Sequence, residues 1–205
     1  MADGVEVFLV RHAQTAGNLT GARLYDPELT ELGREQARRL AAALRAESPT
    51  LVAASPLRRA LETATAVARA CGAPLAAWND LVEINGWDPY RGCSRAELAR
   101  AYPLADLEPD MPPGGWSYPG PEAEADGWAR AGRVAARLSA LPPGARAVVV
   151  AHGTFNSRLL CLLARAPRGG GASFAQDNAA VSRLTLGPGG IRLRSCNDTT
   201  HLGGP

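Results

Sequence analysis

An arginine and a histidine stand side by side where an apolar run stops: Val7-Phe8-Leu9-Val10-Arg11-His12, then Ala13-Gln14-Thr15. A second run, Ala147-Val148-Val149-Val150-Ala151, stops in the same way at His152-Gly153-Thr154. A neutral imidazole can attack an electrophile without first losing a tightly held proton, and a guanidinium beside it offers a planar fork of donors for anionic oxygens. Two of the chain's three histidines are thus placed for nucleophilic chemistry on an anionic group such as a phosphate ester. A histidine met singly is as readily a satisfied part of a core. The pairing at two strand ends carries the reading.

For the pairing to matter, the two runs must be neighbouring parallel strands, because an open α/β sheet gathers its ligand in the crevice at the carboxyl ends of its strands. Apolar periodicity predicts strands over 5–10, 51–54, 75–78 and 146–151, alternating with helices over 30–46, 57–70, 122–141 and 154–165. Strands over 180–186 and 190–195 flank Gly187-Pro188-Gly189-Gly190 and read as a hairpin. The expectation is a three-layer α/β fold, a mostly parallel central sheet with an antiparallel edge and helices on both faces. Thr30 suits a helix cap, although Gly33 stands where a capping box would carry glutamate or glutamine, and Ser55 before Pro56 reads as another cap. Residues 79–121, rich in proline, glycine and aromatics, read as a lid-like excursion over the site with a short helix near 94–101. One domain over 1–205 is expected.

All 22 basic residues are arginines and the net charge is only +2. Arginines in 34–45 and 130–137 fall on predicted helices and are read as solvated faces, so no nucleic-acid surface is called for. No run has the length of a membrane span and no basic, apolar leader opens the chain, which gives the expectation of a cytoplasmic protein without a membrane partner. Cys71, Cys93, Cys161 and Cys196 lack metal-site or disulfide spacing and read as reduced structural thiols.

Taken jointly, several blocks resemble the histidine phosphatase superfamily, which includes the cofactor-dependent phosphoglycerate mutases. They are Arg11-His12-Ala13-Gln14-Thr15 with Asn18, Leu29-Thr30-Glu31-Leu32-Gly33 with Gln36-Ala37, and Ser55-Pro56-Leu57-Arg58-Arg59-Ala60 with Thr63-Ala64. Leu81-Val82-Glu83 ahead of Gly86-Trp87, His152-Gly153, and Asn197-Asp198-Thr199-Thr200-His201-Leu202 agree as well. The resemblance implies that His12 is a phosphoryl-accepting nucleophile, that Arg11, Arg59 and His152 bind the transferring oxygens, and that Asn18 adds a donor near the ester. It also selects Glu83 over Asp80 and Asp88 as proton donor and later base, and Arg59 over Arg58 for the phosphate. Thr15, Gln14, Arg58, Thr154 and Trp87 join Asn18 as substrate-binding candidates. Trp87, Tyr90, Trp116 and Tyr118 could form an apolar wall for a leaving group or simply pack the lid.

Ala13 replaces the family's usual glycine, and residues 111–119 offer none of the paired arginines with which the mutases grip a sugar-acid carboxylate. The implied activity is therefore hydrolysis of a small-molecule phosphate monoester through a phosphohistidine. A mutase-like phosphotransferase and a non-catalytic phospho-ligand-binding module are the alternatives. Arginines and imidazoles supply the positive field here, so neither metal nor cofactor is called for, and a homodimer is left open.

Overall fold

The computed structural model describes residues 4–21, 24–84, 90–166 and 173–203, with backbone alone at positions 90 and 118. In chain order the elements are β1 (Val5–Arg11), α1 (Ala16–Thr20), α2 (Glu31–Arg45), β2 (Leu51–Ala54), α3 (Arg58–Cys71) and β3 (Leu75–Ala77). Then follow β4 (Tyr90–Arg91), α4 (Arg95–Ala101), β5 (Ala105–Leu107), β6 (Ser117–Tyr118), α5 (Glu124–Ser139), β7 (Arg146–Ala151), α6 (Gly153–Leu163), β8 (Val181–Gly187) and β9 (Gly190–Asp198). The central sheet runs β5-β3-β2-β7-β1-β8-β9. Strands from β5 to β1 pair in parallel, and β8 and β9 are antiparallel to their neighbours.

β1 and β7 are continuously apolar because both faces are covered. Phe8, Val10, Val148 and Val150 pack with Leu40 and Leu44 of α2 and Leu61 and Val67 of α3. Val7, Leu9, Ala147 and Val149 face the other way, onto Val134 and Leu138 of α5 and Phe155 and Leu159 of α6. After β1 the chain passes to the α2 face, and after β7 it passes to the α6 face. The connections therefore diverge between two adjacent parallel strands, which opens a crevice at their carboxyl ends.

Helix α2 is pressed against that crevice. Thr30 Oγ1 accepts from the Gly33 amide at 3.0 Å, a cap without a box, as expected. A Cβ at Gly33 would stand 2.1 Å from the Gln14 carbonyl oxygen, so only glycine lets the helix lie directly on the segment that follows His12.

Two expectations are corrected. Residues 79–121 do not only pass over the sheet: β5 returns to pair with β3 as the edge strand, a short piece whose Ala105-Asp106-Leu107 pattern gave little periodicity. Ser55 does not cap α3, whose N-cap position is Leu57 with no side-chain cap bond. It turns toward His152 instead.

Candidate active site

The β1/β7 ladder brings Arg11 opposite Ala151, and the His12 amide donates to the Ala151 carbonyl at 2.9 Å. The following residue on each strand is a histidine, so register alone makes the imidazoles neighbours. Their centroids lie 5.2 Å apart with the planes tilted by 58°, and the residues are 4% and 0% exposed.

Hydrogen bonding fixes the state of His12. Nδ1 lies 2.8 Å from the Ala13 carbonyl, which can only accept, so Nδ1 carries the proton. Arg59 Nε donates to Nε2 at 3.2 Å, which leaves the Nε2 lone pair facing the guanidinium. Burial, and after it the Arg59 charge, hold this imidazole well below its ordinary value of 6.5. The same causes, with His12 and Arg11 adding to them, keep His152 neutral. His152 Nε2 meets Ser55 Oγ at 2.8 Å, and the Leu57 amide donates to that oxygen, leaving the hydroxyl proton for Nε2. The ring proton then sits on Nδ1, which is buried and has no partner among the described residues.

The rotation of about 100° between consecutive helix positions gives Arg58 and Arg59 different work. Arg58 pairs with Glu28, whereas Arg59 lies on His12 with 11% of its side chain exposed. Arg59 is steadied by the Tyr25 carbonyl at 3.3 Å and by Asp26, whose Oδ1 is 3.7 Å from Nη1 and accepts from the Arg58 amide at 2.8 Å. Arg11 donates from Nη1 to the Gln176 carbonyl at 2.6 Å, and its buried Nε has no partner among the described residues.

Asp26 was not singled out by sequence; ahead of Pro27 it reads only as a turn residue. Desolvation raises its carboxyl from 3.8 to about 6, against the opposing pull of Arg59 and the Arg58 amide. Folding thus strengthens its hold on a proton, so this contribution to stability is complete below about pH 4 and is lost as pH rises through 6. The Asp26→Asn protein is expected to melt close to the parent at pH 4 and above it at pH 8, by up to an order of 3 kcal/mol. Thermal melts of both proteins from pH 4 to 8 check this, since the difference cancels other titrating groups.

Glu83 is held at the N-terminus of α6. Oε2 accepts from the Thr154 amide at 3.1 Å, and Oε1 from those of Phe155 at 2.9 Å and Ile84 at 2.8 Å. A helix N-terminus favours an anion there. Asp80, its rival by sequence, is turned outward in a two-point pair with Arg133, and Asp88 lies outside the described residues.

Arg130 sets the backbone that carries Glu83, and it corrects the reading of residues 130–137 as a solvated face. It is 5% exposed, binds both Glu122 oxygens at 2.7 and 2.8 Å, and donates to the carbonyls of Asp80 at 2.7 Å, Val82 at 2.8 Å and Glu83 at 3.4 Å. Arg130→Met leaves Glu122 buried without its cation and is expected to cost about 3–5 kcal/mol, much of it recovered when Glu122→Leu is added. Urea titrations of the single and double variants measure both terms.

The remaining candidates divide. Thr15 is buried and caps α1, with its hydroxyl donating to Asn18 Oδ1 at 2.9 Å. That oxygen also accepts from the Thr15 amide and from Asn178 Nδ2, which fixes the amide orientation and turns the Asn18 NH2 group away from these partners. Gln14 is committed to Thr30 through a 2.9 Å bond to its side-chain oxygen. Trp116 packs on Leu57 and Val82, Trp87 lies outside the described residues, and so do the side chains of Tyr90 and Tyr118. Arg11, Glu83 and Thr154 line a cleft of about 620 Å³ shared with Trp128, Arg158 and Gln176. Asn178, which also donates to the His12 carbonyl, and Gln176 were missed by sequence. They lie in the segment ahead of β8, and it is the pairing of β8 with β1, its N-terminal end beside the carboxyl end of β1, that brings them to the site.

The family model described as "Histidine phosphatase superfamily (branch 1)" matches residues 7–199. A glucosyl-3-phosphoglycerate phosphatase of Mycolicibacterium vanbaalenii is 38% identical over 102 residues, 48% of this chain and 44% of that protein, so the match spans less than half of that relative. Phosphoserine phosphatase 1 of Hydrogenobacter thermophilus is 28% identical over 201 residues, covering 97% of this chain and 95% of its own. Among solved structures, a mycobacterial glucosyl-3-phosphoglycerate phosphatase superposes with a TM-score of 0.70 at 26% identity, over 96% of this chain and 100% of that one.

Proposed function

The chain belongs to the histidine phosphatase superfamily, and from that membership and the site's geometry we propose that it hydrolyses a small-molecule phosphate monoester through a phosphohistidine on His12 Nε2. One observation carries the reading: a neutral imidazole with its tautomer pinned by a carbonyl, beside a second neutral imidazole and two guanidinium groups. Such a site supplies a nucleophile and fixed donors for the equatorial oxygens of a transferring phosphoryl group.

In this mechanism the phosphoryl group enters between His12 and Arg59 and takes the Arg59 donor onto an oxygen, leaving the Nε2 lone pair aimed at phosphorus. Arg11 Nε and His152 Nδ1, both buried and without partners among the described residues, bind further oxygens. Nε2 forms the N–P bond as the P–O bond to the alcohol breaks, and Glu83, having taken a proton from the incoming ester monoanion, passes it to the departing oxygen. Water then attacks phosphorus, returns a proton to Glu83 and releases inorganic phosphate with His12 restored. Asn18, through its NH2 group, and Thr154 on the cleft wall contact the ester.

Phosphate release from a panel of monoesters in excess EDTA, with no bisphosphorylated activator, tests the proposal. Turnover under those conditions, with a base-stable, acid-labile phosphoryl label on His12, is the expected result. Interconversion of phosphoglycerates that depends on an activator, without net phosphate release, would favour the mutase reading. Tight binding of esters with no label would favour the binding module.

A further inference from the structure

One helical turn beyond Thr154, α6 carries Arg158 into the same cleft as Arg11 and Glu83. Side chains four apart on a helix share a face and lean toward its N-terminus, so Arg158 reaches back toward the end of α6 that holds Glu83. Its guanidinium lies 5.0 Å from the Trp128 ring centroid and donates from Nη1 to the Glu124 carbonyl at 3.4 Å. Gly127 makes room for it, since a Cβ there would stand 2.2 Å from Nη1. Arg58, Arg59, Arg130 and Arg133 each face a carboxylate; among the described residues Arg158 faces none. A guanidinium stacked on an indole and not paired with an acid keeps its planar edge for an incoming carboxylate.

A second observation points the same way. Gln176 is 8% exposed, lines the cleft, and neither side-chain polar atom has a partner among the described residues. A buried carboxamide in that condition is costly unless a ligand supplies both a donor and an acceptor.

We propose that Arg158 and Gln176 recognise the leaving group, and that the alcohol released carries a carboxylate for Arg158 and a neighbouring hydroxyl or amino group for Gln176. Glu124 lines the same cleft without pairing to Arg158, so its negative charge makes a monoanion a better occupant than a second phosphate. This inference rests on the phosphatase reading, and its test separates the two. Phosphoserine is compared with phosphoethanolamine, which lacks the carboxylate, and 3-phosphoglycerate with glycerol 3-phosphate, in which a hydroxymethyl group replaces it.

The parent is expected to favour the acid in each pair by about ten- to a hundredfold in kcat/KM, the worth of one charged hydrogen-bonded contact. In Arg158→Gln the ratio should collapse toward unity, and Arg158→Lys should restore part of it. A parent ratio near unity in both pairs, or a ratio unchanged in Arg158→Gln, would overturn the assignment. If the parent releases phosphate from no ester, calorimetric binding of the same pairs reads the preference directly: selective binding abolished by Arg158→Gln upholds the Arg158 assignment while the phosphatase reading fails, and unselective binding sinks both.

Discussion

Replacing His12 with alanine is expected to lower kcat/KM for phosphate release by about 10⁴-fold or more and to abolish the covalent phosphoryl label. The size follows from how completely the chemistry converges on one atom. Nε2 is the one lone pair on the paired rings whose orientation is set from both sides, by the Ala13 carbonyl behind and Arg59 in front. His152 cannot substitute, because its Nε2 is engaged with Ser55 in the interior. Arg11, Arg59 and His152 remain in the variant, so ester binding should survive better than turnover. Phosphate release, quench-trapped label and a thermal melt measured together give the answer. A variant that folds and retains more than about a hundredth of parental kcat/KM would remove His12 from the covalent role.

Glu83→Gln is expected to lower kcat/KM on alkyl phosphates by about 10²- to 10⁴-fold, the usual contribution of a placed proton donor. Because kcat/KM reports only through the first irreversible step, the loss should shrink markedly on p-nitrophenyl phosphate, whose leaving oxygen hardly needs a proton. Equal losses on the two esters would mean that Glu83 acts by holding the site together rather than by proton transfer. That distinction matters because the carboxylate accepts three amides, and a glutamine NH2 group cannot accept from the donors it would meet.

The architecture was legible because its signal is local. Apolar runs covered on both faces read as buried strands, and the strand-to-histidine junctions at His12 and His152 needed only a parallel register to become a site. Family resemblance, not spacing, chose Arg59 over Arg58 and Glu83 over Asp80, since neighbouring positions carry equivalent chemistry until packing turns them apart. Arg130 could have been found from sequence: Gly127, Ala131, Val134 and Leu138 form the buried stripe of α5, and position 130 sits on its edge. The arginine-rich composition hid it. Gln176, Asn178 and Asp26 depended on contacts between segments far apart in the chain, β8 against β1 and the 24–29 segment against α3, and no local pattern announces those.

The imidazoles hang from the ends of two adjacent strands at the middle of the sheet, whereas Glu83 rides on a connecting turn and Arg158 on a helix face along the cleft. Reaction and selectivity consequently sit on parts of the molecule with different tolerance for change. Evolution or an engineer can redraw the cleft around Arg158 and retarget the protein to another alcohol, while the bond-making centre is inherited intact with the backbone that folds it.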